Sequence, residues 1–162
     1  MSLLRKDEIL TASTEIAASA DAVYAVVSDV TRIPEWSPET RRVQWLGTDR
    51  LRFRAWNRRR LGRWKTEAKV VEADAGQQFS FVVEVMGGDW TQWTYLMEPG
   101  STEGTIRLTE TCRMCVGLPL AIAAFERLLM FVGDRRSDLH GNLATSLDRI
   151  RTIVEAETAE HR

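Results

Sequence analysis

The chain has 162 residues, 44% of them hydrophobic and 28% charged, the size and balance of one folded domain and not of a disordered or fibrous chain. A formal net charge of −1 gives no general attraction to nucleic acid or to an anionic membrane. Two cysteines, Cys112 and Cys115, are too few for a disulfide framework, and "MSLLRKDEIL" lacks the long apolar run of a secretion signal. The expectation is a single soluble, cytoplasmic domain over 1–162.

In chain order, "STEIA" after Ile9 and Leu10 reads as a first strand. "SADAVYAVVSDV" follows as a helix, with Ser19 as N-cap and Val23, Val26, Val27 and Val30 at helical spacing. Pro34 and Pro38 in "TRIPEWSPE" then allow at most one short helical turn between them. Six strands come next. "RRVQWLG" ends at Gly47. "RLRFRAW" alternates Leu51, Phe53 and Ala55 with Arg52, Arg54 and Trp56, and "RWKTEAKVV" alternates Trp64, Thr66, Ala68 and Val70 with Arg63, Lys65, Glu67 and Lys69. "QFSFVVEV" sets Phe79, Phe81, Val83 and Val85 on one face before a turn at Gly87-Gly88. "TQWTYLMEP" does the same with Trp93, Tyr95 and Met97, and "TIRLTETCRM" with Ile106, Leu108, Cys112 and Met114. Short turns between successive strands predict an antiparallel meander with one dry and one wet face.

The remainder, 118–157, is helical in pattern, with Leu128, Val132, Leu139, Leu143, Leu147, Ile150 and Val154 at three/four spacing. A continuous helix there has roughly forty residues and spans about 60 Å. Gly133 and Gly141 mark kinks or close approaches within it. "MCVGLPLAIAAFERLLMFVG" approaches membrane-spanning length, but Glu126 and Arg127 near its middle predict a buried helix and no integral membrane contact. The long helix must lie on the concave face of a curled sheet, and a gap between the two is the expected site.

This order of elements, with "DVTRIPEWSPE" after the first helix and the "TxE" of the last strand, resembles the SRPBCC superfamily, which holds START lipid-transfer, pollen-allergen-like and polyketide cyclase/dehydrase proteins. "IPEWSP", "NRRRLGRW", "WTYLMEP" and "TIRLTE" are most similar to an actinobacterial-type cyclase/dehydrase subgroup. The resemblance covers about Glu8 to Glu157. It implies an α+β helix-grip fold: a curved antiparallel sheet of about seven strands wrapped around a long C-terminal helix, with two short helices after the first strand. It also implies a hydrophobic ligand between sheet and helix. For aromatic polyketide cyclases it implies a cavity arginine, a tyrosine and a helix asparagine. The position for the tyrosine reads Thr40, Lys69 in the fourth strand has wet-face parity, and Asn142 stands at the asparagine position.

Glu110 is the most informative single residue, because it shares parity with Leu108, Cys112 and Met114. An unpaired buried carboxylate costs several kcal/mol. The group is therefore expected to be neutral, in contact with ligand, or paired with a helix cation such as Arg135 or Arg136. A raised pKa would suit a general acid or base. Trp36, Trp64, Phe79, Phe81, Trp93 and Tyr95 form an aromatic set that suits a flat or long apolar molecule and equally suits plain core packing. With Glu110, Arg135 and Asn142 they make the expected ligand-binding set. No metal-ligand spacing, phosphate loop, dinucleotide fingerprint or Ser-His-Asp set occurs, so neither metal nor cofactor is expected.

"FRAWNRRRLGRWKT" mixes arginine with tryptophan as single-strand nucleic-acid grooves do. Parity separates the letters, with Phe53 and Trp64 inward and Arg52, Arg54, Arg63 and Lys65 outward, so nucleic acid is not the expected partner. From 41 to 65 ten cations face one acid, Asp49. Arg58, Arg59 and Arg60 at the hairpin tip would suit an anionic partner, and the face around Trp45 and Trp56 a homodimer. Three functions remain open: a carrier of a small hydrophobic ligand, lipid or polyketide-like; a cyclase/dehydratase using Glu110; and an interaction module acting through Arg58–Arg63.

Overall fold

The computed structural model describes residues 3–117, 119–129 and 134–161. Seven antiparallel strands build one sheet: β1 (Ile9–Ile16), β2 (Thr40–Trp45), β3 (Arg52–Arg59), β4 (Gly62–Asp74), β5 (Gln78–Val85), β6 (Gly88–Pro99) and β7 (Ile106–Met114). The order β1-β7-β6-β5-β4-β3-β2 is the expected meander, with β1 folded back against the last strand. Register shifts at Thr40/Arg42, Val70/Glu72 and Val83/Glu84 are bulges that add twist and curl the sheet. The β5–β6 turn lies one residue earlier than predicted, at Met86 and Gly87, whose φ of 53° and 79° make a tight two-residue hairpin.

Two short helices follow β1, as expected. In α1 (Ala20–Val27) the Ser19 side chain accepts the Ala22 N–H at 3.2 Å, and Val23, Val26 and Val27 are buried. A 3-10 turn at Val30–Arg32 leads into the four-residue α2 (Ile33–Trp36), with Pro34 in its first turn, where no N–H is needed.

The single forty-residue helix is corrected to two, α3 (Leu120–Leu129) and α4 (Arg135–Glu160). Asp134 is extended, at φ −142° and ψ 107°, and its side chain accepts the Arg136 N–H at 3.2 Å, so it caps a new helix. The 26 residues of α4 span about 39 Å. Val132 and Gly133 lie outside the described residues, and nothing lies within 4 Å of where a side chain at Gly141 would point. Among the described side chains of α3, Ala123 faces inward while Leu120 and Leu128 are 74% and 76% exposed. Among the described residues no helix is long and apolar enough to cross a membrane.

The concave face of the sheet grips α4 through Leu139, Leu143, Leu147, Ile150 and Val154, all buried. Each such side chain contributes roughly 1.5–3 kcal/mol. The packing is not continuous along the helix. Leu147, Ile150 and Val154 join α1, the α2 turn and the sheet in one cluster, whereas Leu139 and Leu143 join Leu4, Leu10, Met114 and Ala123 in another. On the convex face the basic strip is matched by acids on neighbouring strands: Arg52 with Glu84, Arg54 with Glu67 at 2.6 Å, and Lys69 with Asp89 at 2.7 Å.

Candidate functional site

A cavity of about 430 Å³ separates the two clusters, bounded by the sheet, the α2 turn, α3 and the first half of α4. Strand alternation supplies its apolar wall: Phe53 and Ala55 from β3, Trp64 from β4, Phe81 and Val83 from β5, Trp93 from β6. The rings of Phe53 and Phe81 meet edge-on at 5.1 Å, which fixes that wall. One strip of it is polar but self-satisfied. Thr40 Oγ1 donates to Asn57 Oδ1 at 2.9 Å, and Asn57 Nδ2 donates to Thr66 Oγ1 at 3.2 Å.

At the deep end stands Glu110, 2% exposed. The β6–β7 register sets it directly opposite Tyr95. Trp36 Nε1 donates to the Tyr95 hydroxyl at 3.4 Å, and that hydroxyl donates to Glu110 Oε1 at 3.0 Å. Glu110 Oε2 is buried with no hydrogen-bond partner among the described residues. Burial pushes the Glu110 carboxyl up to about 8, with the Tyr95 hydrogen bond opposing the shift only in part, so the group is mostly neutral at pH 7. Burial likewise raises the Tyr95 phenol well above its ordinary value, and the adjacent carboxyl adds to this.

The cation expected beside Glu110 is not its partner. Arg135 bonds Glu39 at 2.9 Å and Asp138 at 2.8 Å, and Arg136 bonds Glu8 at 2.5 Å. Glu39, from the segment after α2, and Arg135, from the start of α4, form the rim of the cavity. Arg59 reaches the same cluster from the β3–β4 hairpin, bonding Glu39 at 3.1 Å and Asp138. Asn142 Nδ2 adds a contact to Glu39 at 3.5 Å. Burial acts to raise Glu39, but the Arg135 and Arg59 guanidiniums outweigh it and hold the carboxyl below its ordinary value. This latch joins the sheet edge, the lip and the helix.

Eight of the nine expected ligand-binding residues line this one cavity: Trp36, Trp64, Phe81, Trp93, Tyr95, Glu110, Arg135 and Asn142. Phe79 does not. It packs edge-on against Tyr24 of α1, with ring centres 6.4 Å apart, in the solid part of the core. The arginine tip divides as well: Arg59 turns inward to the latch, while Arg58 and Arg60 are exposed. Its parity with Phe53 and Ala55 was the signal for this. Glu39 and Asp138 carried no such signal. Nor are Trp45 and Trp56 bare surface, since Trp45 packs on Phe53 at 5.7 Å and Arg42 lies over Trp56 at 4.7 Å. Thr40 lines the cavity and Lys69 points to the convex face. Burial pushes the Cys112 thiol up to about 12, which suits a core residue and not a reactive one.

Residues 8–155 match the family model for polyketide cyclase / dehydrase and lipid transport proteins. Among solved structures the chain is similar to the Polyketide_cyc-like protein Cgl2372 from Corynebacterium glutamicum, at 27% identity and TM-score 0.59 over 97% of both chains. A START superfamily protein from Mycobacterium smegmatis aligns at 15% identity and TM-score 0.62, over 95% of this chain and 99% of its own. The di-domain ARO/CYC StfQ from the steffimycin biosynthetic pathway aligns at 14% identity and TM-score 0.69, over 93% of this chain and 51% of its own. The last two likenesses are of fold alone. No curated protein matches the sequence.

Proposed function

Since the chain belongs to the polyketide cyclase / dehydrase and lipid transport family, we propose that it binds and carries a small hydrophobic molecule between its sheet and α4. The observation that supports this most is the cavity itself. About 430 Å³ of mainly apolar-walled space lies between two clusters of buried side chains, within the roughly 300–1,000 Å³ common for small-molecule sites. Leaving such a volume unfilled is costly in a core that exists only for stability. Its rim is held by the Glu39–Arg59–Arg135–Asp138 latch, which joins the elements that a ligand would have to pass. Native mass spectrometry of freshly purified protein, set against the denatured mass, tests the reading. A discrete added mass that partitions into organic solvent is the expected result. Failure of any apolar ligand to bind, either co-purified or added, would contradict it.

Glu110 favours a second reading, an enzyme of cyclase/dehydratase type. A carboxyl near pKa 8 is protonated at pH 7 yet close enough to titration to give and retake a proton. Set in a cavity wall, it is placed to protonate a departing hydroxyl or polarise a carbonyl. Glu110→Gln separates the readings. A carrier keeps its ligand and has no turnover to lose, whereas an enzyme keeps binding and loses turnover by about 10²–10⁴-fold. The interaction-module reading loses Arg59 to the latch and retains only the exposed part of the hairpin.

A further inference from the structure

The hydrogen bonds at the deep end of the cavity run in one direction, from Trp36 through Tyr95 to Glu110. An indole N–H donates and never accepts. Trp36 Nε1, 3.4 Å from the Tyr95 oxygen, therefore takes an acceptor lone pair of that oxygen. The Tyr95 proton is left to point at Glu110 Oε1, 3.0 Å away. Oε1 is thus an acceptor, and a proton carried by Glu110 sits on Oε2. That atom is buried and unpartnered among the described residues, on a side chain that lines the cavity. Among the described residues this donor has nothing to donate to.

We propose that Glu110 Oε2 is the cavity's deep hydrogen-bond donor and that the ligand is an apolar body ending in a neutral acceptor oxygen, a ketone-type carbonyl, which it presents to Oε2. This rests on the cavity being a ligand site and names the chemistry that site selects. The described surroundings argue against a charged head and against a bare hydrocarbon end. Among the described residues, the charged and titratable groups around Glu110 are Tyr95 on β6, Cys112 on β7, and Glu39 and Arg135 on the cavity rim, while β1 places Ala12 opposite it. Tyr95 is already a donor to Oε1, Cys112 is held as a neutral thiol, and Arg135 is engaged by Glu39 and Asp138. Among the described residues a carboxylate head would meet no available cation at this depth. A hydrocarbon terminus would leave Oε2 unsatisfied, and such a group is expensive to bury. The high pKa of Glu110 fits the same picture, because a neutral acid can donate.

Two probes of nearly one shape test this: 2-acetylnaphthalene and 2-isopropenylnaphthalene, in which the C=O is replaced by C=CH2. Calorimetric titration at pH 6.5 should show the ketone binding about fivefold more tightly, the value of one neutral hydrogen bond. 2-Naphthoate should bind more weakly than the ketone. At pH 9.5 Glu110 has lost its proton and the ketone's advantage should disappear. In Glu110→Gln it should persist at both pH values, because the amide still accepts from Tyr95 and still donates. Equal affinity for ketone and alkene at pH 6.5 overturns the proposal and leaves the cavity reading intact. So does an advantage that survives pH 9.5 in the native protein, or one lost with pH in Glu110→Gln as well, or naphthoate binding as tightly as the ketone. If neither neutral probe binds, the cavity reading falls with it. Should Glu110→Gln fail to fold, the probe pair on the native protein decides alone.

Discussion

Glu39 and Glu110 line the same cavity, and the protein treats them in opposite ways. Both are withdrawn from water, which by itself favours the uncharged form. At the rim two guanidiniums, from β3 and α4, hold Glu39 ionised and below its ordinary pKa. At the deep end, among the described residues, Glu110 bonds only the hydroxyl of Tyr95, and burial wins, lifting it to about 8. Burial alone does not set the state of a carboxyl. What decides is whether the fold brings a cation with it, and here that depends on contacts between elements far apart in sequence.

The comparison breaks most dramatically if the rim is made to resemble the deep end. Replacing both Arg59 and Arg135 by methionine strands Glu39 and Asp138, and removing the partners of largely buried charges costs roughly 3–5 kcal/mol. Urea unfolding at pH 7 should show a loss of that order. A loss below about 1 kcal/mol would mean that the latch is not what separates the two carboxyls. The converse experiment is Glu110→Gln. Because the folded-state pKa of Glu110 is raised from 4.5 to about 8, the native state keeps a proton that the unfolded chain has released. Native stability therefore falls as pH rises through that window, by about 1.4 kcal/mol per unit. The glutamine variant should gain on the native protein by that slope between pH 5 and 8, and a flat difference would place Glu110 in water. For Glu39 the sign reverses: its contribution is present above 4.5 and is lost as pH falls through its lowered value.

Smaller changes sharpen the contrast. Tyr95→Phe removes the one bond that favours ionised Glu110, at a cost of about 1 kcal/mol, and should raise the Glu110 pKa further in a carbon-detected NMR titration. Arg58→Ser should shift stability by less than about 0.5 kcal/mol, as surface changes do. Arg59→Ser, one residue along the same hairpin, should cost several times more in the same urea unfolding. Equal effects would contradict the division of the hairpin into an inward and an outward arginine.

Strand parity made much of this legible in the sequence. It put Glu110, Tyr95, Trp93 and Phe81 on the dry face, and the same rule applied one step further along β3 would have turned Arg59 inward. What parity could not supply was register. That Tyr95 stands opposite Glu110, and that Arg135 stops at Glu39, are long-range facts with no trace in local spacing. Phe79 shows the same limit. It shares a face with Phe81, but α1 covers the sheet at one residue and leaves it open at the other. The break before α4 had a local signal, since Asp134 is a good N-cap, but the regular leucine spacing on either side masked it.

The measurement that bears most directly on the account is a carbon-detected NMR titration of the two side-chain carboxyls in the unliganded protein. A buried deep end with a latched rim predicts that Glu110 titrates near 8 and Glu39 below 4.5. Both groups titrating together near the ordinary glutamate value would contradict it, because Glu110 would then be in contact with water and not at the buried end of an apolar cavity.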